Sequence, residues 1–284
     1  MGLDDVDDPS LYVAAERKMA SVALRYHIAA AGDMHKVIWD VPHLAHSRMV
    51  ADSKIVVFFV TPVIANHYAE LFRRSLPGAD VFEIHSKIAK AKRKKEAARF
   101  KSAAAGIAFA SDVSAKSLEA PGIREVISIG APPSKGLHQQ RLELAALSAG
   151  ATGAAARSFL LLHDFERGED SDFGFEDGGE EVHAETLDEE VTAAGCAVPP
   201  LATPQKDDAK ALARVYLSWL EHYLKQAGDS EAAKLKVVQQ AQAFAVSIGA
   251  ADADGRPPAM NAKNAARLGL ADISSSALNV AADA

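Results

Sequence analysis

The sequence predicts an α/β fold, a parallel sheet with flanking helices, followed by a small α-helical extension. Three observations predict it. Five short runs, Ile55 to Val60, Val81 to His85, Gly106 to Ala110, Val126 to Gly130 and Ser158 to Leu162, are predominantly apolar, and helix-like stretches separate at least the first three. Strands without a polar face belong to a sheet covered on both sides, and their alternation with helices makes that sheet parallel. Between Asp164 and Glu190 the composition turns abruptly to Asp, Glu and Gly. Beyond it, Leu212, Val215, Tyr216, Trp219, Leu220, Tyr223 and Leu224 recur at the i, i+3, i+4, i+7 spacing of a buried helix face.

Size and charge set the bounds. A chain of 284 residues, 49% hydrophobic and 24% charged, makes one or two domains with a buried core. The net charge of -7 argues against general coating of nucleic acid, but the two signs are segregated along the chain, so a local basic surface stays open. Cys196 is the only cysteine, which excludes an intrachain disulfide and a cysteine zinc cluster and fits a reducing compartment. Met1 to Asp8 has neither a basic signal-peptide start nor an Arg-rich transit pattern, and no apolar run approaches the ~18 residues of a membrane span. An intracellular protein without membrane contact is expected; mitochondrion, nucleus or nucleolus, and cytoplasm stay open.

The divisions expected are an N-terminal segment (1–32), an α/β domain (33–165), an acidic linker (166–206) and a helical extension (207–284). Met1 to Ser10 is an acidic tail, and Tyr12 to Ala31 fits both an edge strand and a helix. Met34, Val37, Ile38, Val41 and Ala45 have helical spacing, with Pro42 expected to end or kink the helix. Ile55 to Val60 is a strand, Thr61-Pro62 opens a helix to about Arg74, and Pro77-Gly78 turns the chain. Gly150 to Gly153 reads as a turn into the last strand. The acidic stretch, with Phe173 and Phe175 as its few aromatics, buries too little to order itself, and Pro199, Pro200 and Pro204 mark its end. Gly228 then stops the first helix of the extension, and Leu235, Val238, Ala241, Ala245 and Ile248 stripe a second that Gly249 ends.

Ligands of a parallel sheet sit at the carboxyl ends of its strands, which directs attention to Ser111 through Leu147. There, Ala110-Ser111-Asp112-Val113 with Lys116-Ser117-Leu118-Glu119 resembles motif V of DEAD-box RNA helicases. Val57-Phe58-Phe59-Val60-Thr61 resembles motif IV. His85-Ser86 with Arg93 resembles the His-Gly…Gln-x-x-Arg motif, and Val126 to Pro133 resembles the strand and loop leading into motif VI. The extension, with Ala243 to Gly249, Pro257-Pro258 and Leu268-Gly269-Leu270, resembles that of the subgroup assisting intron splicing in mitochondria and nucleoli. The chain is thus similar, from about Asp33 to Leu270, to the second RecA-like domain of that family plus its extension.

The resemblance implies RNA contacts at Thr61, Ser86, Lys90, Arg93, Ser111 and Lys116, and nucleotide contacts at Glu119 and Arg141. Departures from the family pattern are concentrated in motif VI, which in the family runs His-Arg-x-Gly-Arg-x-x-Arg. Gln140, Arg141, Leu142, Glu143, Leu144, Ala145, Ala146 and Leu147 occupy those positions here, so only the first arginine is kept. Arginine fingers raise phosphoryl-transfer rates by about 10³ to 10⁵, which leucine cannot do. Ser86 stands for Gly and Lys90 for Gln, which weakens the case for close backbone approach to RNA. The sequence has no Gly-x-x-x-x-Gly-Lys-Ser/Thr loop and no Asp-Glu-x-Asp. No catalytic residue is therefore expected, and no cofactor by this chain alone; ATP and Mg²⁺ enter only if a first RecA-like domain is supplied.

Other residues bear on binding. Lys87, Lys90, Lys92, Arg93, Lys94, Lys95, Arg99 and Lys101 crowd one helix-like stretch, which reads equally as a phosphate-facing track and as a solvated helix face. Tyr216, Trp219 and Tyr223, at helical spacing with Leu220 and Leu224, are core residues before they are base-stacking platforms. His43 and His46 have the spacing of a metal pair but no further ligand, and no nucleophile elbow occurs. The expected function is sequence-tolerant RNA-backbone binding, with ribonucleoprotein components as further partners, by a helicase-derived protein that does not hydrolyse ATP alone. The alternatives are a portion of an active helicase and a protein-interaction module that uses the acidic segment.

Overall fold

The structure, a computed structural model, describes residues 22–49, 52–111, 113, 115–152, 156–166, 180–195, 198 and 208–281. The acidic tail, Asp112, Gly153, Phe173, Phe175, Cys196, Pro199, Pro200 and Pro204 lie outside them. Seven strands form one parallel sheet: β1 (Val22–Ala29), β2 (Lys54–Phe58), β3 (Val81–Ile84), β4 (Gly106–Ala110), β5 (Ile123–Ile129), β6 (Ala156–His163) and β7 (Glu180–Glu181). Their order across the sheet is β3-β4-β2-β5-β6-β1-β7. The central strands are the apolar runs, and Val56, Val57 and Phe58 of β2 are fully buried from both sides. Gly106 opens β4 at φ +150°, where a Cβ would lie 2.7 Å from the Asp80 carbonyl, so only glycine admits this approach to β3.

The helices are α1 (Met34–Ser47), α2 (Pro62–Ser75), α3 (Lys90–Ser102), α4 (Lys135–Thr152), α5 (Ala184–Ala193), α6 (Ala209–Ala227), α7 (Glu231–Ser247) and α8 (Ala262–Arg267). They divide the core in two. On one face α1 and α2 pack with α6 and α7, joining Trp39, Phe72, Trp219, Tyr223 and Phe244 into one cluster. On the other, Phe82, Phe100, Leu118 and Leu144 pack beneath α3 and α4. The extension is therefore continuous with the core of the α/β domain. Among the described residues no helix is long and apolar enough to cross a membrane.

Four expectations need amendment. The stretch that fitted either a strand or a helix contributes β1, which pairs along its whole length with β6 and lies second from the edge because β7 pairs outside it. Pro42 does not end its helix: α1 runs through it to Ser47, since Ile38, Trp39, Val41, Leu44 and Ala45 are all buried and their packing outweighs the one lost hydrogen bond. Gly150 lies inside α4, not in a turn. Within the acidic segment, residues 180–195 are ordered as β7 and α5, anchored by Val182 and Leu187, which are 2% and 5% exposed. Two apolar side chains suffice there because Arg25 of β1 and Arg48 after α1 hold Glu190.

Candidate nucleic-acid interface

All strands being parallel, their carboxyl ends share one edge of the domain. Its two halves differ. Over β2, β5 and β6 the edge is closed by α6. Thr61 follows β2 and caps α2, accepting the Ile64 amide, while the Ser218 hydroxyl of α6 donates to it at 2.8 Å. Gly130 follows β5 at φ +81°, and a Cβ there would lie 2.3 Å from Val60 Cγ1 and 2.9 Å from the Tyr223 hydroxyl. His163 ends β6 and accepts a hydrogen bond from Trp219 Nε1 at 3.0 Å, stacked on Phe165. The aromatics of α6 are thus spent filling this half, and Tyr216, Trp219 and Tyr223 are at most 2% exposed.

Glu166 ties this seam together. Its carboxylate accepts the Ala131 and His163 amides, each at 2.8 Å, and the Tyr223 hydroxyl. Burial pushes its pKa up to about 7, against the pull of those three donors. Burial also drives His163 down to about 3, so the ring that accepts from Trp219 is neutral. Neither Glu166 nor Ser218 was found from sequence. An acidic residue three positions past an apolar strand was the available signal, and the acidic stretch around it hid it.

Over β3 and β4 the edge stays open. Ser86 and Lys87 after β3, Lys90 at the start of α3, and Lys116 in the 3₁₀ turn Ala115–Leu118 are all exposed. Arg93, half-buried, turns back to hold the loop: its guanidinium donates to the His85 and Ser86 carbonyls at 3.3 Å. Lys92, Lys94, Lys95, Arg99 and Lys101 are exposed around α3, where only Phe100 is buried. Arg99 is partly engaged, with Glu96 at 2.8 Å and the Phe82 ring at 5.4 Å. Of the six sequence-predicted RNA residues, the structure gathers Ser86, Lys90 and Arg93 in one loop and helix start. It exposes Lys116, buries Ser111 at 1% exposure, and covers Thr61 with α6.

The predicted nucleotide residues are not brought together by any bond among the described residues. Arg141, on the inner face of α4, is 6% exposed, stacked 4.4 Å over the Phe58 ring and donating to Ser128 Oγ at 3.2 Å; burial lowers its pKa to about 10. Glu119 is exposed just after the 3₁₀ turn. Where the family has further arginines, Leu144 is packed into the core at 2% exposure and Leu147 is 44% exposed. His43 is engaged with the Trp39 carbonyl and Ser75. Among the described residues no group of three or more His, Cys, Asp or Glu could hold a metal ion.

Comparison with known proteins bears on the fold. Residues 40–144 match the model of the helicase conserved C-terminal domain. The ATP-dependent RNA helicase mss116, mitochondrial, of Aspergillus oryzae is 37% identical over 114 residues, which are 40% of this chain and 17% of the relative. DEAD-box ATP-dependent RNA helicase 26 of Oryza sativa subsp. japonica is 26% identical over 91% of this chain and 45% of its own length. The chain thus spans less than half of either curated relative. Among solved structures, Mss116p DEAD-box helicase domain 2 bound to an RNA duplex superposes with a TM-score of 0.63 at 16% identity, covering 90% of this chain and 97% of that one.

Proposed function

We propose, for a chain that carries the C-terminal RecA-like domain of a DEAD-box RNA helicase, that it binds RNA through the phosphate backbone and does not turn over ATP by itself. The observation that carries the reading is the basic stretch that begins at the open half of the sheet's carboxyl edge with Lys87 and Lys90 and runs along α3 to Lys101, whose carbonyl accepts from Lys54 at the start of β2. Eight cationic side chains lie between Lys87 and Lys101 with Glu96 the only carboxylate, in a chain whose net charge is -7. Clustered, largely exposed ammonium and guanidinium groups bind a polyanion by releasing its counterions. Among the described residues every Phe, Tyr and Trp is buried or half-buried, which favours contacts to the backbone over base stacking on them. Sequence-tolerant binding follows, with duplex RNA, the ligand named for the Mss116p domain, as the first to try.

ATP and Mg²⁺ fit the described residues poorly. Leu144 and Leu147 offer no guanidinium, and Arg141, on the inner face of α4, is stacked against Phe58. A second reading, that the chain is one portion of an active helicase, is favoured by its spanning 17% and 45% of the two curated relatives. The mitochondrial location named for the Aspergillus relative supports the same address here. An RNA titration at two salt concentrations, paired with an ATPase assay with and without a DEAD-box first domain added in trans, separates the readings. Salt-sensitive binding without turnover is expected; turnover on adding the first domain would favour the second.

A further inference from the structure

Away from the basic helix, at the opposite edge of the sheet, four charged residues from four elements converge beneath the acidic segment. Register places them on one face: Glu125 of β5 is paired with Arg157 of β6, and Arg25 of β1 with Phe159 two residues further along β6. Arg48, at the end of α1, joins them around a small cleft walled also by Val41 and Leu44. The chain's own Glu190 lines it and engages the arginines. Its carboxylate accepts from both Arg25 terminal nitrogens, at 2.6 and 3.1 Å, and from Arg48 at 2.9 Å. Three residues earlier Leu187 is buried on the same wall, and Glu180 of β7 lies 3.4 Å from Arg25 Nε.

The cover is slight. β7 has two residues, α5 has ten with Leu187 as its one buried side chain, and no side chain caps its N-terminus. A helix this short is marginal alone, so Leu187, Val182 and the arginines hold it in place. Lifting it would leave Arg25, Arg48 and Arg157 facing one carboxylate, Glu125, which is 7% exposed.

We propose that residues 180–195 are an exchangeable strap, and that the cleft beneath is a receptor for an acidic helical segment of another protein that presents leucine three residues before glutamate. The cleft favours such a peptide over RNA because Val41, Leu44 and Phe159 make part of its wall apolar beside the arginines, a wall that suits the leucine and that a phosphate backbone cannot fill. This site is independent of the RNA-binding reading, since β3 and β7 are opposite edges of the sheet.

The test uses the full chain with Leu187→Ser and Glu190→Gln together, and a fluorescent peptide of residues 180–195 followed by anisotropy at low salt. Binding to this variant is expected, at least about tenfold tighter than to the unaltered protein, whose own strap competes at high effective concentration. A peptide carrying Glu190→Gln should lose about tenfold or more, the worth of a charge-assisted hydrogen bond. Absence of peptide binding to a folded variant overturns the proposal, as does displacement of the peptide by single-stranded RNA. Should the variant not fold, hydrogen exchange on the unaltered protein decides. Faster exchange in α5 than in β1 and β6, rising with salt, supports the strap; equal protection overturns it.

Discussion

The two edges of the sheet carry charge in opposite ways. At the β3 edge, α3 exposes most of its cations to solvent, and their engagements are local, such as Arg99 with Glu96 and Arg93 with its own loop. At the β7 edge the arginines are matched to carboxylates across long sequence separations, Arg25 and Arg48 with Glu190, and Lys36 with Asp188 at 2.6 Å. Cations already satisfied by carboxylates have little left for a polyanion, whereas exposed ones gain by displacing counterions. Counting charges along the chain cannot separate these edges. Pairing does.

The largest expected effect follows from that contrast. Replacing Lys90, Lys94 and Lys95 with alanine should weaken RNA binding by more than about tenfold at low salt. The slope of log affinity against log salt should become shallower by about 2, at roughly 0.7 per lost phosphate contact on a single strand. Glu185→Gln with Glu189→Gln at the other edge should change RNA affinity by less than about twofold. Equal effects at both edges would break the comparison.

Next in size are the motif VI positions. Leu144→Arg forces a guanidinium into a 2%-exposed core site and should cost about 3 kcal/mol or more in a denaturant titration. Leu147→Arg, at 44% exposure, should stay within about 0.5 kcal/mol. If both are tolerated, α4 is not the packed helix described.

The Glu166 seam supplies a pH dependence. Its folded pKa of about 7 lies above the ordinary 4.5, so the folded state holds this proton more tightly. The associated stability is present below about pH 4.5 and is lost as pH rises towards 7, on the order of 1–3 kcal/mol. His163 works in the opposite sense: held near 3, it contributes stability above 6.5 that falls away on acidification. Glu166→Gln should remove the first slope and leave the second, as measured by urea unfolding between pH 5 and 8. A small effect is expected of Arg99→Ala, which gives up an exposed ion pair and a contact over Phe82 and should cost about 0.5–1 kcal/mol.

Most of the sheet was legible because its strands are predominantly apolar runs separated by helix-like stretches, and α6 and α7 because their stripes stop at Gly228 and Gly249. β1 was not, since residues of intermediate exposure beside a two-residue strand leave no clean period. The strap was missed for a related reason: Leu187 and Val182 are too few to show in an acidic background, and their partners Arg25 and Arg48 are more than a hundred residues away. At the site, the loop from Ser86 to Arg93 was readable from its motif. The cover over Thr61 was not, because Ser218 approaches it from an element 157 residues later.

The central claim is best tested by titrating duplex and single-stranded RNA onto the purified chain at 50 and 200 mM salt, with and without ATP and Mg²⁺. Affinity falling by about tenfold or more between the two salts, indifferent to base sequence and to nucleotide, is the predicted result. Salt-independent binding, or ATP hydrolysis that Arg141→Ala abolishes, would contradict it.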